Sequence, residues 1–319
     1  MLPKIVLGKR KLVIGVFAPS EPITRERWLR MKDIATHLAY CGFETRFALG
    51  IQKTTYYSAG SIQHRLLEFK ELLFEEKVDI LFGGWGGRSC IDLLPWLDYE
   101  QIALRGKPIL GVSDIAVLLN AITAQTGLIT FFGPNVYGKL DEVPVKRLEF
   151  LKNGKSLIGG ANILPASRFV TIQPGICSGR LFGGSLETFT TANAGTQYSI
   201  EPERNIFIWE TSQYDPQRIS QLLSALHIRG VLGAISGMII GHLGRRPKDL
   251  RWPTTTKTRF LKEIFSHLHI PILYAPVFGH AKLYNPVFPI GAVCELDTRS
   301  GTLSLAQEIL QVEKKDDSY

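Results

Sequence analysis

The chain has 319 residues, 45% of them hydrophobic and 21% charged, with a formal net charge of +8. That length exceeds what one core usually fills, so two domains are expected, and the composition is that of a folded protein rather than a disordered or fibrous one. The basic excess comes without a docking element or stacking aromatics for nucleic acid, and no apolar run of about 18 residues offers a membrane span, so neither partner is expected.

Along the first half, strand-like and helix-like patterns alternate. "LVIGVFAP" (12–19) reads as a short buried strand, and "RERWLRMKDIATHLAYCG" (25–42) as an amphipathic helix stopped at Gly42. "FETRFAL" (43–49) reads as a strand and "IQHRLLEFKELLFEEK" (62–77) as a helix. "VDILFGG" (78–84) is the next strand, followed by a helix near 88–97, the strand "PILGV" (108–112) and the helix "DIAVLLNAITAQTG" (114–127). This βαβα order with β-branched strands predicts an α/β domain, a Rossmann-like parallel sheet with helices on both faces, over residues 1–150. Ligands gather beyond the carboxyl ends of such strands. Three unusual stretches fall there: "APS" after the first strand, "GGWGG" after the third and "SD" after the fourth.

Residues 151–175, with "KNGKSLIGGANILPASR" inside, read as a linker. Residues 176–319 then form a mixed α/β domain with short strands. Strands are expected at "NIFIWE" (205–210), "GMIIGHLG" (237–244) and "PILYAPVFGH" (271–280), and a hairpin at "GAVCELDTRSGTLSLAQ" (291–307). Helices are expected at "DPQRISQLLSALHIRG" (215–230) and "TTKTRFLKEIFSHL" (255–268). The basic stretch "GRRPKDLRWPTTTKTR" (244–259) reads as a solvated loop in preference to an anion-facing surface. Cys41, Cys90, Cys177 and Cys294 are scattered without metal or redox spacing, and the apolar core of "KLVIGVFAPS" is too short for a signal peptide. No metal or cofactor is expected, and the expected location is the cytoplasm.

Ser113 stands where a strand turns into a helix, two residues after Gly111. That placement exposes a hydroxyl beside helix N–H groups, as a nucleophile elbow does, although the usual glycine two residues later is Ile115. The competing reading is a helix cap by Ser113 or Asp114. "GGWGGR" (83–88) lacks dinucleotide and P-loop spacing, so it reads as a turn or as a source of oxyanion-binding N–H groups. Of seven histidines, His242 and His280 each follow a glycine at the end of an apolar strand, and local context favours His280 as a base. Glu210 closes the apolar strand "IFIWE", an unfavourable place for an unpaired charge; it is either the orienting acid or a strand terminus turned to solvent.

In this order, "VFAPS", "GGWGG", "LLPWLDYE", "PILGVSDIAVLLNAI", "TFFGPN", "GRLFGGSLETF", "IFIWETS" and "FGHAKLYNPVFPIG" resemble the blocks of the LD-carboxypeptidase family. These are serine peptidases with a Ser-Glu-His triad, and the family includes the microcin C self-immunity peptidases. The resemblance covers nearly the whole chain. It implies Ser113 as nucleophile, His280 as base, Glu210 as orienting carboxylate, and an oxyanion hole from the backbone N–H groups of Asp114 and Gly84. It further implies metal-free amide hydrolysis through an acyl-enzyme, a small peptide or peptidyl-nucleotide substrate, and a homodimer. Phe82 stands where the carboxypeptidase branch usually has arginine, and "ETS" (210–212) looks more like the immunity branch. Trp85, Trp209 and Trp252 are the candidates to stack on an adenine. The alternative from another class is a catalytically silent α/β binding protein that keeps the cleft and holds an anion with "GGWGG".

Overall fold

The computed structural model describes residues 1–7, 10–133, 148, 150–153, 162–164, 169–244, 256–280 and 286–314. About half of the expected linker falls outside them, as do Trp252, most of the basic stretch and part of the segment after His280.

The first half builds the expected parallel sheet. Its strands are β2 (Leu12–Phe17), β3 (Phe43–Phe47), β4 (Ile80–Gly83), β5 (Ile109–Gly111) and β6 (Thr130–Phe132), after a short β1 (Lys4–Leu7) that lies apart. Helices α1 (Arg25–Tyr40), α2 (Ile62–Phe74), α3 (Tyr99–Arg105) and α4 (Ile115–Thr126) connect them. The order is β3-β2-β4-β5-β6, parallel throughout. Because the chain leaves β2 for β3 on one side and returns to β4 on the other, the switch point lies between the carboxyl ends of β2 and β4. "APS" and "GGWGG" are the loops at those two ends. Capping sets the helix starts: Thr24 and Ser61 accept the N–H groups of Arg27 and His64.

The second sheet is mixed. It contains β7 (Val170–Gln173), β8 (Ile176–Ser185), β9 (Ile206–Glu210), β10 (Gly237–Ile240), β11 (Ile272–Tyr274), β13 (Val293–Asp297) and β14 (Thr302–Leu305), in the order β14-β13-β8-β9-β10-β11-β7. Helices α5 (Leu186–Ala192), α6 (Pro216–Ile228) and α7 (Lys257–Ile264) pack around it. β12 (Phe288–Ile290) crosses back and joins the first sheet, antiparallel to β6, and β15 (Gln311–Lys314) pairs with β1. The chain's last third therefore closes both ends of its first half.

Several elements differ from the sequence expectation. Cys90–Trp96 is a 3₁₀ helix with Pro95 inside, where the missing N–H and the ring bar an α-helix. The strand expected over 271–280 stops at Tyr274, and β7, β8 and α5 were not anticipated. β8 carries Gly179, Gly183 and Gly184, which blur a strand pattern.

Helix α4 lies between the sheets. Every residue from Ile115 through Thr123 is buried, so the helix is apolar around its whole circumference. One polar residue fixes its register: the Asn120 side chain donates to Gly183 O at 2.7 Å and accepts from Gly183 N–H at 2.9 Å. Ala116, one turn earlier, lies against Gly184 so closely that a Cβ there would meet the methyl at 2.6 Å.

Candidate active site

The turn from β5 into α4 holds Ser113 at φ +60°, a left-handed conformation that a serine adopts at a cost of about 1–2 kcal/mol. Ile115 imposes the turn's shape from below. Its side chain fills the space above Gly111 and Gly83, where any Cβ would overlap it. The Ser113 hydroxyl makes no hydrogen bond among the described residues and stands over Gly86, where a built Cβ would come 2.9 Å from Oγ.

Asp114 occupies the N-cap position of α4, but its side chain makes no capping bond. Its buried carboxylate accepts the Ser20 hydroxyl at 2.5 Å and the Cys90 N–H at 2.9 Å, and burial holds its pKa above the ordinary value. Ser20 in turn accepts the Ser89 N–H at 3.1 Å. The turn at Ser113 is thereby tied to the loops after β2 and β4.

Beneath those loops helix α2 presents two buried charges that the sequence reading passed over. Arg65 donates to Pro19 O and Ser89 O, both at 2.8 Å, and pairs with Asp92 at 2.9 Å. Glu68 accepts the Ala18 N–H at 3.0 Å, and His64 Nε2 lies 2.9 Å from its other oxygen. Burial pushes the Glu68 carboxyl up to about 7. The available signal was periodicity, because Arg65, Glu68 and Leu72 share one face at i, i+3 and i+7.

Glu210 is fully buried at the end of β9, which overturns the solvent-facing reading. It engages His280 and not His242: Glu210 Oε2 accepts Nδ1–H of His280 at 2.7 Å and the same residue's backbone N–H at 3.0 Å. A carboxylate can only accept, so the Nδ1 proton is fixed and Nε2 of the neutral ring is left with a lone pair. The charge of Glu210 raises the His280 pKa above its usual value, against the opposing effect of burial. Gly279, at φ +83°, allows this contact, since a side chain there would overlap the Glu210 carboxylate.

Contacts run from Ser113 to this pair. Ala116 touches Gly184, and the next residue, Ser185, is the ladder partner of Glu210. On the opposite wall Phe132 meets Phe278 edge-on at 6.5 Å, two residues before His280. The helix that follows Ser113 therefore packs against the strand beside the one that carries Glu210.

Gly84 does not fit the part expected of it. Its N–H donates to Phe17 O at 2.7 Å, continuing the β2–β4 ladder, and is not available to an oxyanion. Among the described residues, the N–H groups of Gly86 and Asp114 donate to no acceptor, and a Cβ built on Gly86 would lie 2.9 Å from Ser113 Oγ and 3.5 Å from Asp114 N. Trp209 is fully buried against Phe265, with no exposed face on which a base could stack. Trp85 sits in the glycine loop with the Arg27 guanidinium 4.5 Å from its ring centre. Among the described residues no cluster of His, Cys, Asp and Glu could hold a metal, and no helix is long and apolar enough to cross a membrane.

Comparison with known proteins agrees along most of the chain. Residues 14–133 match the LD-carboxypeptidase N-terminal domain and residues 178–296 the LD-carboxypeptidase C-terminal domain. A Vibrio cholerae protein named as a carboxypeptidase is 28% identical, with 88% of this chain and 91% of that one covered. The microcin C7 self-immunity protein MccF of Escherichia coli is 27% identical, covering 94% and 95%. Among solved structures, MccF in complex with glutamyl sulfamoyl guanosine has a TM-score of 0.84 at 24% identity, covering 97% and 99%. A muramoyltetrapeptide carboxypeptidase from Oxalobacter formigenes has a TM-score of 0.77 at 22% identity, covering 92% and 97%. Both share the fold described above.

Proposed function

The chain belongs to the LD-carboxypeptidase family of serine peptidases, and from that premise we propose that it hydrolyses an amide bond in a small peptide or peptide-like conjugate through an acyl-enzyme at Ser113. The observation that supports the reading is the buried Glu210–His280 pair, carried by the sheet that packs against the helix following a serine held in a left-handed turn.

In this mechanism His280 Nε2 takes the Ser113 proton as Oγ attacks the carbonyl carbon, and Glu210 stabilises the resulting imidazolium. The tetrahedral oxyanion is held by the N–H groups of Asp114 and Gly86, and the positive end of α4 adds to the field there. His280 then protonates the leaving nitrogen, and water, activated by the same ring, releases the acyl product. Losing one such N–H donor typically lowers kcat by about 10²–10³.

Two substrate classes fit the relatives: a murein tetrapeptide cut before its terminal D-alanine, and an aminoacyl group joined by an amide to a sulfamoyl- or phosphoramidate-linked nucleotide. MccF has been captured with aspartyl sulfamoyl adenosine, which supports the second for that protein. A homodimer working in the cytoplasm completes the reading, and sedimentation of the purified protein tests the dimer.

The deciding experiment treats the protein with a fluorophosphonate probe and compares hydrolysis of a D-alanine-terminated tetrapeptide with that of an aminoacyl-sulfamoyl adenosine. Labelling confined to Ser113, with turnover abolished in Ser113→Ala, is the expected result. A Ser113 that stays unlabelled, with neither amide cut, would instead indicate a silent binding protein.

A further inference from the structure

Three long charged side chains meet beside the glycine loop. Arg88, two residues after Gly86, reaches Glu187 at 3.5 Å, and Arg218 on α6 reaches the other oxygen of Glu187 at 3.2 Å. Glu187 follows Ser185, the ladder neighbour of Glu210, by two residues. The trio thus joins the glycine loop beside Ser113 to the start of α5, which follows the strand next to the one that carries Glu210.

Stability does not account for the arrangement. Arg88 is 80% exposed, and exposed ion pairs contribute about 0–1 kcal/mol. Two guanidiniums share one carboxylate, so the cluster keeps a net charge of +1 from two cations and one anion. Each guanidinium is a planar fork suited to carboxylate, sulfamate or phosphate oxygens. The long Arg88–Glu187 contact yields at little cost to an incoming anion.

Resting on the reading of Ser113 as nucleophile, we propose that Arg88, backed by Arg218, is the specificity-determining cation that receives the negative group on the leaving half of the substrate. Glu187 holds it in place and competes for it. The recognised chemistry is an anion within two bonds of the scissile nitrogen. A terminal amino acid carries it as a carboxylate, and an aminoacyl sulfamate as the sulfamoyl group.

Calorimetric binding to Ser113→Ala tests this without turnover. One arm uses a tetrapeptide ending in D-alanine against its C-terminal amide; the other uses an aminoacyl-sulfamoyl adenosine. Adding Arg88→Ala is expected to weaken the anionic ligand of at least one arm by about ten- to a hundredfold, the worth of a charge-assisted hydrogen bond, while hardly changing the amide. Adding Glu187→Gln is expected to tighten the same ligand severalfold by removing its competitor. The arm that responds identifies the substrate class. Affinities independent of Arg88, no binding in either arm, or a Glu187→Gln variant that weakens binding as Arg88→Ala does, would overturn the proposal. Failure of the nucleophile reading shows up separately, as absent fluorophosphonate labelling of Ser113 in the unsubstituted protein.

Discussion

One oxygen atom, Glu210 Oε2, accepts two hydrogen bonds from the same residue, the backbone N–H and the ring Nδ1–H of His280. The first fixes where the residue sits and the second fixes its ring and tautomer. Position and chemistry are thus set by a single acceptor, buried at the end of a strand.

Glu210→Gln keeps the shape but removes the charge and puts the tautomer in competition. A fall in kcat of about 10³–10⁴ is expected, by analogy with other triads. Because Glu210 raises the His280 pKa, the acid limb of kcat/KM lies above the usual histidine value and should move to lower pH in the variant. The linkage has a matching sign. The pair's stabilisation is complete below the unfolded histidine pKa of about 6.5 and fades as pH rises through the higher folded value, so the stability gap between the two proteins should narrow across that window. An acid limb unmoved by the substitution would contradict the geometry.

The left-handed turn at Ser113 carries a conformational cost. Ser113→Ala and Ser113→Gly should both abolish turnover, yet the glycine variant should be the more stable of the two by about 1 kcal/mol, because only alanine keeps the Cβ crowding. Thermal unfolding of the pair decides this, and equal midpoints would mean that the turn is relaxed.

Asn120 is the polar pin between α4 and the second sheet. Asn120→Leu keeps the branched shape, though in a bulkier side chain, and leaves both Gly183 backbone groups without partners, so a loss of about 2–4 kcal/mol is expected in urea unfolding. A smaller loss would show that the sheet can slide to satisfy them.

Glu68 carries a carboxyl pushed up to about 7 by burial. The folded state then holds a proton that the unfolded state releases near its ordinary value, so the native protein loses stability as pH rises from about 4.5 to 7. Glu68→Gln cannot ionise, and its stability relative to the parent should improve across that interval and level off above it. Denaturant midpoints of both proteins from pH 4 to 8 check the sign.

Much of the site could be read locally. The serine at a strand-to-helix turn, an acid closing an apolar strand and a histidine after a glycine each obey short-range rules of period and turn chemistry. The buried Arg65 and Glu68 escaped because charged residues on a helix are ordinarily taken for its wet face, and only the loops packed above α2 reveal which face is buried.

The order of βα units in the first half, the glycines beside Ser113, and the serine, acid and histidine at their strand ends follow from the sequence alone, since each depends on neighbours a few positions away. Which partner meets which was decided by the tertiary structure. Glu210 binds His280 although His242 has the same local setting, because Gly279 lets one backbone approach the carboxylate. Gly84 loses its N–H to Phe17 while Gly86, two residues on, keeps its own free beside Ser113, because the β2–β4 ladder ends between them. An N–H is free or taken according to the register of a strand dozens of residues away, and no local pattern carries that register.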